Sequence, residues 1–369
     1  MIIKSIELDN FRNYETLNLT FNNKTTILYG NNAQGKTNIL EALYISGTTK
    51  SHKGAKDKEI IRFNENEAHI KTLVEKNSRE YQIDIHLKKN KTKGIAVNRV
   101  PIKRAADLFG IINIVFFSPE DLNIIKEGPT ERRRFMDAEL CQLDKIYLSD
   151  LSTYNKALNQ RNALLKEINF KPDLKDTLSV WDEQLINSGK KIIKRRQQFI
   201  DDINFIVKDI HSSITGGKEI INVSYEPNIE DIFFHDELVK NKEKDLRFGQ
   251  TSVGPHRDDI KITVNDIDVR KFGSQGQQRT CALTLKLSEI KLVEETTKDK
   301  PILLLDDVLS ELDKSRQSFL LDNILDTQTI ITCTGIDEFI ENRFSLDTVY
   351  KVENAVVSKM TEEINESEG

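Results

Sequence analysis

The stretch Gly30-Asn31-Asn32-Ala33-Gln34-Gly35-Lys36-Thr37 stands between an apolar run, Thr25 to Tyr29, and a helical pattern, Ile39 to Leu43. A G-x-x-x-x-G-K-[ST] loop in that setting demands a strand, a tight turn and a helix in succession, which restricts the chain to an α/β core of the P-loop kind. Gly30 and Gly35 let the backbone curl until successive N–H groups of Asn31, Asn32, Ala33 and Gln34 point inward, and the helix N-terminus that follows favours an anion. Lys36 is expected to reach the β- and γ-phosphates of ATP and Thr37 a Mg²⁺ ion. The competing reading, a strand-to-helix turn that binds nothing, leaves the full set of fixed positions unexplained.

Composition narrows the remaining choices. The chain has 369 residues, a length that suggests two domains, with 38% hydrophobic and 31% charged residues, the mixture of a globular protein with a core. Lys and Arg total 54 against 59 Asp and Glu, giving a formal charge of -5, so any nucleic-acid contact has to be local. Cys141, Cys281 and Cys333 are far apart and lack C-x-x-C spacing, which predicts buried, reduced thiols and neither a disulfide framework nor a zinc site. Residues 1–11 alternate like a strand, and no apolar run approaches the ~18 residues of a membrane span, so a cytoplasmic location and no membrane contact are expected.

Periodicity places short strands at Ile2 to Leu8, Leu17 to Phe21, Thr25 to Tyr29, Ala68 to Val74 and Tyr81 to Leu87, and a buried strand at Ile111 to Phe117. The texture changes at Ser118-Pro119-Glu120-Asp121, a helix-start pattern, and stays helical to about Ser213, with Pro172 separating two long helices. Strands return at Ile220 to Tyr225 and Ile260 to Val264. A long helix from Gln275, a buried strand at Ile302 to Leu305, a helix from Lys314 and a strand at Thr329 to Thr332 follow. The reading is an α/β lobe formed by residues 1–117 and 252–369, interrupted by a mainly helical lobe at 118–251. The acidic tail from about residue 354 is expected to be disordered.

Ile302-Leu303-Leu304-Leu305-Asp306-Asp307 is an apolar strand ending in carboxylates, as a P-loop site requires. Asp306 is assigned to Mg²⁺ and Asp307 to the catalytic water, with Lys36 its partner in catalysis. Upstream, Phe272-Gly273-Ser274-Gln275-Gly276-Gln277 opens the long helix, and Ser274 with Gln277 satisfies a capping box. Exposed N–H groups, a serine hydroxyl and Gly276 for close approach also make that helix end an anion site. One chain does not need two γ-phosphate sites, so the economical solution is a head-to-tail pair in which Ser274, Gly276 and Gln277 of one copy close over ATP held by Lys36 of another. An ATP-dependent homodimer is therefore expected.

These segments together, S-Q-G-Q-Q, L-L-L-D-D and Ser310-Glu311-Leu312-Asp313, resemble the signature, Walker B and D-loop of ABC-type ATPases in the branch shared with SMC heads. The resemblance implies an ABC-type ATPase head, a P-loop NTPase with a mixed sheet and a helical second lobe inserted. Asn10-Phe11-Arg12-Asn13-Tyr14 resembles the start of that branch, which implies that Arg12 lies near the nucleotide phosphates. Within the branch, Phe117 to Leu122, Arg132-Arg133-Arg134-Phe135, Gly254-Pro255-His256-Arg257-Asp258 and Phe272 to Thr280 are similar to the RecF family, whose members act in bacterial DNA repair. Membership implies work at single-strand gaps and stalled forks, help in loading RecA with RecO and RecR, and a part in replication and SOS induction. Two departures stand out: Asp307 occupies the place of the usual glutamate, and no histidine lies near Thr332-Cys333-Thr334. Both predict slow hydrolysis, suited to a switch. A clamp with incidental hydrolysis and an ATPase coupled to a membrane partner are the alternatives.

Between Asp84 and Asp107 there is no acidic residue, while Lys88, Lys89, Lys91, Lys93, Arg99, Lys103 and Arg104 accumulate. The segment is either a solvated hairpin rim or a phosphate-contacting surface for DNA. It lacks interleaved aromatics, so sequence-independent binding is expected. Lys190, Lys191, Lys194 and Arg195 read as a solvent face, Arg132 to Arg134 as interface or core-rim pairs, and His256 with Arg257 as a structural hydrogen-bond cluster.

Overall fold

The computed structural model describes residues 1–104, 107–324, 326–335 and 349–360. These fall into two compact units, residues 1–119 with 293–369, and residues 120–292.

The first unit holds β1 (Ile2–Phe11), β2 (Tyr14–Thr20), β3 (Thr25–Tyr29), α1 (Lys36–Thr48), α2 (Asp57–Ile60), β4 (Glu67–Lys76), β5 (Arg79–Lys88), β6 (Gly94–Val97), β7 (Val100–Pro101) and β8 (Ile114–Phe117). The second holds α3 (Asn123–Lys126), α4 (Pro129–Leu143), α5 (Lys145–Ile168), α6 (Leu178–Thr215), β9 (Ile221–Glu226), α7 (Phe234–Lys240), α8 (Lys242–Phe248), β10 (Asp259–Val264), β11 (Ile267–Asp268), α9 (Val269–Phe272) and most of α10 (Gln275–Thr297). The chain then returns to the first unit with β12 (Ile302–Asp306), α11 (Lys314–Ile324), β13 (Thr329–Cys333), β14 (Val349–Glu353) and β15 (Val356–Lys359).

Two six-stranded sheets make the first unit, ordered β2-β1-β4-β5-β6-β7 and β15-β14-β3-β13-β12-β8. The former is antiparallel; in the latter β14, β3, β13, β12 and β8 run parallel, and β15 closes the edge antiparallel. The mixed sheet is that of an ABC-type ATPase head. A register shift between Ile3 and Ser5 in β1 changes the phase of its alternation, which lets Ile3 and Ile6 both face the core. Helix α1 is buried on nearly all sides, through Ile39, Leu40, Ala42, Leu43 and Ile45, as expected of a helix packed among side chains of both sheets such as Ile6, Ile70, Leu28 and Leu304.

In the second unit, α5 and α6 are the two long helices, and β11-β10-β9 is a small antiparallel sheet. Arg132, Arg161 and Arg196 are buried there as ion pairs. Arg132 Nε lies 2.6 Å from Asp259, Arg161 binds Asp182 and Asp245 at 2.6 and 2.7 Å, and Arg196 binds Asp137 and Asp258 at 2.8 and 2.9 Å. His256 joins this cluster through Thr251, whose carbonyl lies 3.1 Å from its Nε2 and whose hydroxyl accepts from Arg161 at 2.9 Å; the Tyr154 hydroxyl lies 2.6 Å from its Nδ1, and burial pushes its pKa down to about 4, so it is neutral. Lys191, Lys194 and Arg195 pair with Asp150, Asp231 and Asp144.

Three expectations are corrected. The return boundary lies at 292/293, where the sequence suggested 251/252, because β10 pairs along its whole length with β9 and so belongs with the inserted unit. The chain after residue 353 does not dissolve at once: Asn354 and Ala355 both take positive φ and turn it into β15, paired with β14; residues 361–369 lie outside the described residues. Cys281 and Cys333 are buried and outside any disulfide, but Cys141 is only half-buried.

Candidate nucleotide site and surfaces

Strand β3 lies between β13 and β14, so the loop after it emerges at the carboxyl end of the parallel strands. The loop is fixed from several directions. Gly30 N–H donates to Cys333 O at 3.2 Å, Tyr14 Oη–H to Gly35 O at 3.2 Å and Asn13 Nδ2 to Gln34 O at 3.3 Å. From the β14–β15 turn, Ala355 N–H donates to Gln34 O at 3.2 Å and Asn354 N–H to Gln34 Oε1 at 2.5 Å. Gly30 has a φ of 153°, and a Cβ placed there would lie 2.2 Å from Val352 O, so only glycine permits this approach. An open cleft beside the loop is lined by Tyr29, Gly30, Asn31, Gln34, Lys351 and Asn354.

Lys36 is buried, and its ammonium donates to Gly30 O at 2.6 Å and Asn31 O at 3.0 Å. Across the loop, Asp306 Oδ1 accepts from Thr37 Oγ1 and from Thr332 Oγ1, both at 2.8 Å. The Thr332 hydroxyl in turn accepts the Asp307 N–H at 2.9 Å. A sequence search for histidine at this strand end does not find Thr332, although a β-branched hydroxyl beside the carboxylates is the available signal. Thr37 and Asp306 suit a Mg²⁺ ion, which takes few protein ligands and leaves most positions to phosphate and water. Asp307 takes a left-handed φ of 51° and is half-buried. Burial pushes its carboxyl upward, Lys36 opposes that, Asp306 adds to it, and the balance is raised. A raised carboxyl is a better proton acceptor.

Arg12 is occupied on α1. Its Nε and an Nη donate to the two Glu41 oxygens at 2.7 and 2.8 Å, and the other Nη donates to Glu59 O at 2.8 Å. The resemblance places this guanidinium near phosphates; in this structure its partner is the carboxylate of Glu41, which nothing in the sequence singles out.

At the mouth of α10 the capping box forms in both directions: Gln277 N–H donates to Ser274 Oγ at 3.2 Å and Ser274 N–H to Gln277 Oε1 at 3.0 Å. Ser274 is exposed and Gly276 half-exposed, so the helix end is open to an anion.

The basic segment is less uniform than its composition. Lys93 is drawn inward to Thr49 O at 2.5 Å and Asp57 at 2.8 Å, Lys88 faces Glu67 at 3.6 Å, and Arg104 pairs with Asp107 at 3.1 Å. Lys89, Lys91, Arg99 and Lys103 are exposed, with no ion pair among the described residues. The antiparallel return of β7, continued by Ile102 N–H to Ile95 O, brings Lys103 back towards the β6 end near Lys89 and Lys91. Arg99 sits at the opposite end of β6, about 13 Å away at the rise of a strand.

Comparison with known proteins agrees with this geometry. The family model described as RecF/RecN/SMC N terminal domain matches residues 2–358. A DNA replication and repair protein RecF from Agathobacter rectalis is 64% identical over 98% of this chain and 100% of its own length. Its counterpart from Lachnospira eligens is 61% identical over 95% and 98%. A solved structure described as the recombination mediator protein RecF-ATPrS in the RecFOR pathway superposes with a TM-score of 0.90 at 37% identity, covering 98% of both chains. An SMC head from Pyrococcus furiosus, at 17% identity, 96% and 95% coverage and a TM-score of 0.54, shares the fold. The chain belongs to the RecF/RecN/SMC family, in its RecF branch.

Proposed function

We propose that this protein is an ATP-dependent DNA-binding switch of bacterial DNA repair and replication. Two copies join head to tail over ATP, hold DNA, and separate on slow hydrolysis. The observation that carries the reading is the cluster in which Asp306 gathers the hydroxyls of Thr37 and Thr332 while the raised carboxyl of Asp307 stands within the field of Lys36.

Phosphate oxygens would take the Lys36 ammonium from the carbonyls of Gly30 and Asn31, a charge-assisted exchange that favours the bound state. Thr37 and Asp306 would hold Mg²⁺, which would supply positive charge against the triphosphate. Asp307 accepts a proton from the water that attacks the γ-phosphorus; the bond to the β–γ bridging oxygen breaks, leaving ADP and phosphate. Aspartate is one methylene shorter than glutamate, and Thr332 is committed to Asp306 and Asp307, so the water is weakly held and turnover slow. Ser274, Gly276 and Gln277 of the second copy supply the remaining phosphate contacts.

Lys89, Lys91 and Lys103, with Arg99 further along the hairpins, supply phosphate contacts to DNA without reading sequence. The resemblance and the pathway named for the solved relative support RecO, RecR and RecA as partners. The test is duplex and gapped-DNA binding against salt, with and without Mg-ATP. Dimerisation doubles the basic surface, so ATP should steepen the slope of log affinity on log salt by about 0.9 for each additional phosphate neutralised. An unchanged slope would contradict the composite surface.

A further inference from the structure

Gln277 has a second partner. While its Oε1 accepts the Ser274 N–H, its Nε2 donates to Glu219 Oε1 at 2.9 Å. The two ends of a side-chain amide have nearly the same shape and opposite polarity. A flipped Gln277 amide would set NH₂ against the Ser274 N–H and oxygen against a carboxylate, losing two hydrogen bonds and creating two repulsions. Glu219 thereby selects the one amide orientation that completes the cap.

Glu219 is itself held. Gly216 and Gly217 end α6 with φ values of 62° and 74°, reversing the chain so that Glu219 faces His211 on the last turns of that helix. His211 is fully buried, with Nε2 3.2 Å from Glu219 Oε2 and Nδ1 3.1 Å from Thr284 Oγ1. A carboxylate only accepts, so the ring proton sits on Nε2. Thr284 Oγ1 lies 2.8 Å from Thr280 O, and Thr280 Oγ1–H donates to Gly276 O at 2.9 Å. Hydrogen bonds thus run from Gln277 through Glu219 to His211, while the single Thr284 hydroxyl proton goes either to His211 Nδ1 or to Thr280 O, and Thr280 separately holds Gly276. Gln277 is thereby tied to Glu219 and Gly276 to Thr280, and Glu219 is the group that bonds the capping side chain itself.

We propose that Glu219 is a positioning residue for the α10 anion site, fixing Gln277 so that Ser274 and the first N–H groups of the helix are presented in one geometry to the nucleotide of a second copy. This rests on the head-to-tail reading above, and makes the acceptor on residue 219, more than its charge, the requirement for dimerisation.

The full-length chain is examined by sedimentation with Mg-ATP, by binding of a fluorescent ATP analogue to the monomer, and by amide hydrogen exchange of residues 274–278 without nucleotide. Loss of a hydrogen bond to a charged group should weaken the Glu219→Ala dimer about tenfold, with analogue binding at the Lys36 loop within about twofold of wild type. Glu219→Gln keeps an acceptor and should retain the dimer. Gln277→Glu sets like charges together and should quicken exchange of residues 274–278 without nucleotide, and adding Glu219→Gln to that variant should slow it again through the exchanged pair. Exchange should quicken in Glu219→Ala and not in Glu219→Gln. A wild-type protein that stays monomeric would sink the head-to-tail reading, while exchange still tests the positioning. A wild-type dimer matched by Glu219→Ala, equal exchange in the two, or failure of the exchanged pair would overturn the role of Glu219.

Discussion

Replacing Arg12 by alanine should strand a buried carboxylate. The Glu41 side chain is 1% exposed and accepts from Arg12 at 2.7 and 2.8 Å and from Ser51 Oγ at 2.5 Å. Arg12→Ala removes two of these three hydrogen bonds and the positive charge that makes them. Breaking a buried ion pair from one side costs about 3–5 kcal/mol. Arg12 itself is 22% exposed and Ser51 remains, so water can reach part of the gap and the low end, about 3 kcal/mol, is expected. The sign of the pH dependence follows from the balance at Glu41. Burial pushes its carboxyl up, but the hydrogen bonds from Arg12 and Ser51 and the Arg12 charge outweigh burial and leave it lowered. The pair's stabilisation is therefore full above the ordinary glutamate pKa of about 4.3 and is lost as pH falls through the lowered folded value. In Arg12→Ala only burial and the weaker partners remain, the carboxyl moves upward, and the gap to wild type should be widest near neutral pH and narrow in acid. Trp181 lies in the other unit, so hydrogen exchange of α1 peptides in increasing urea is the suitable assay. Adding Glu41→Leu should recover all but about 1 kcal/mol, because the cost is an unpaired charge. A single-variant loss below about 1 kcal/mol, or a double variant no better than the single, would refute the reasoning.

Lys36→Ala should abolish ATP binding, because the ammonium now held by Gly30 O and Asn31 O is the group that passes to phosphate; titration calorimetry with ATP checks it. Asp307→Asn should bind ATP, stay dimeric on DNA and lose turnover by at least about a hundredfold, the scale of a general base; unaltered cellular repair in that variant would favour a clamp. Joint Lys89→Ala, Lys91→Ala and Lys103→Ala should weaken DNA binding equally for all sequences and flatten the salt dependence by about 0.9 for each phosphate no longer neutralised, whereas Lys93→Ala, which removes an internal pair, should act on stability instead.

The parts of the site legible in the sequence were those made by neighbours in the chain. Glycine spacing, the strand before and helix after, the carboxylates ending an apolar run, and a serine three residues before a glutamine each carry their own local geometry. What stayed hidden depends on groups far apart. Thr332 reaches Asp306 only because β12 and β13 pair in parallel, and Glu41 meets Arg12 only once α1 lies beside the β1–β2 turn. The β14–β15 turn that grips Gln34 was obscured by the acidic residues after it, and by Ala355 in a left-handed position where glycine or asparagine is the usual signal. The basic segment misled in the other direction: absence of acids within it said nothing of Asp57 and Glu67, which arrive from other elements and take up Lys93 and Lys88.

Sedimentation of the wild type, Lys36→Ala and Ser274→Arg with and without Mg-ATP tests the central claim of a shared site. The account predicts a dimer in the wild type with Mg-ATP alone, and monomers for both variants under every condition. A wild type that remains monomeric with saturating Mg-ATP, or a Ser274→Arg variant that dimerises as well as the wild type, would contradict it.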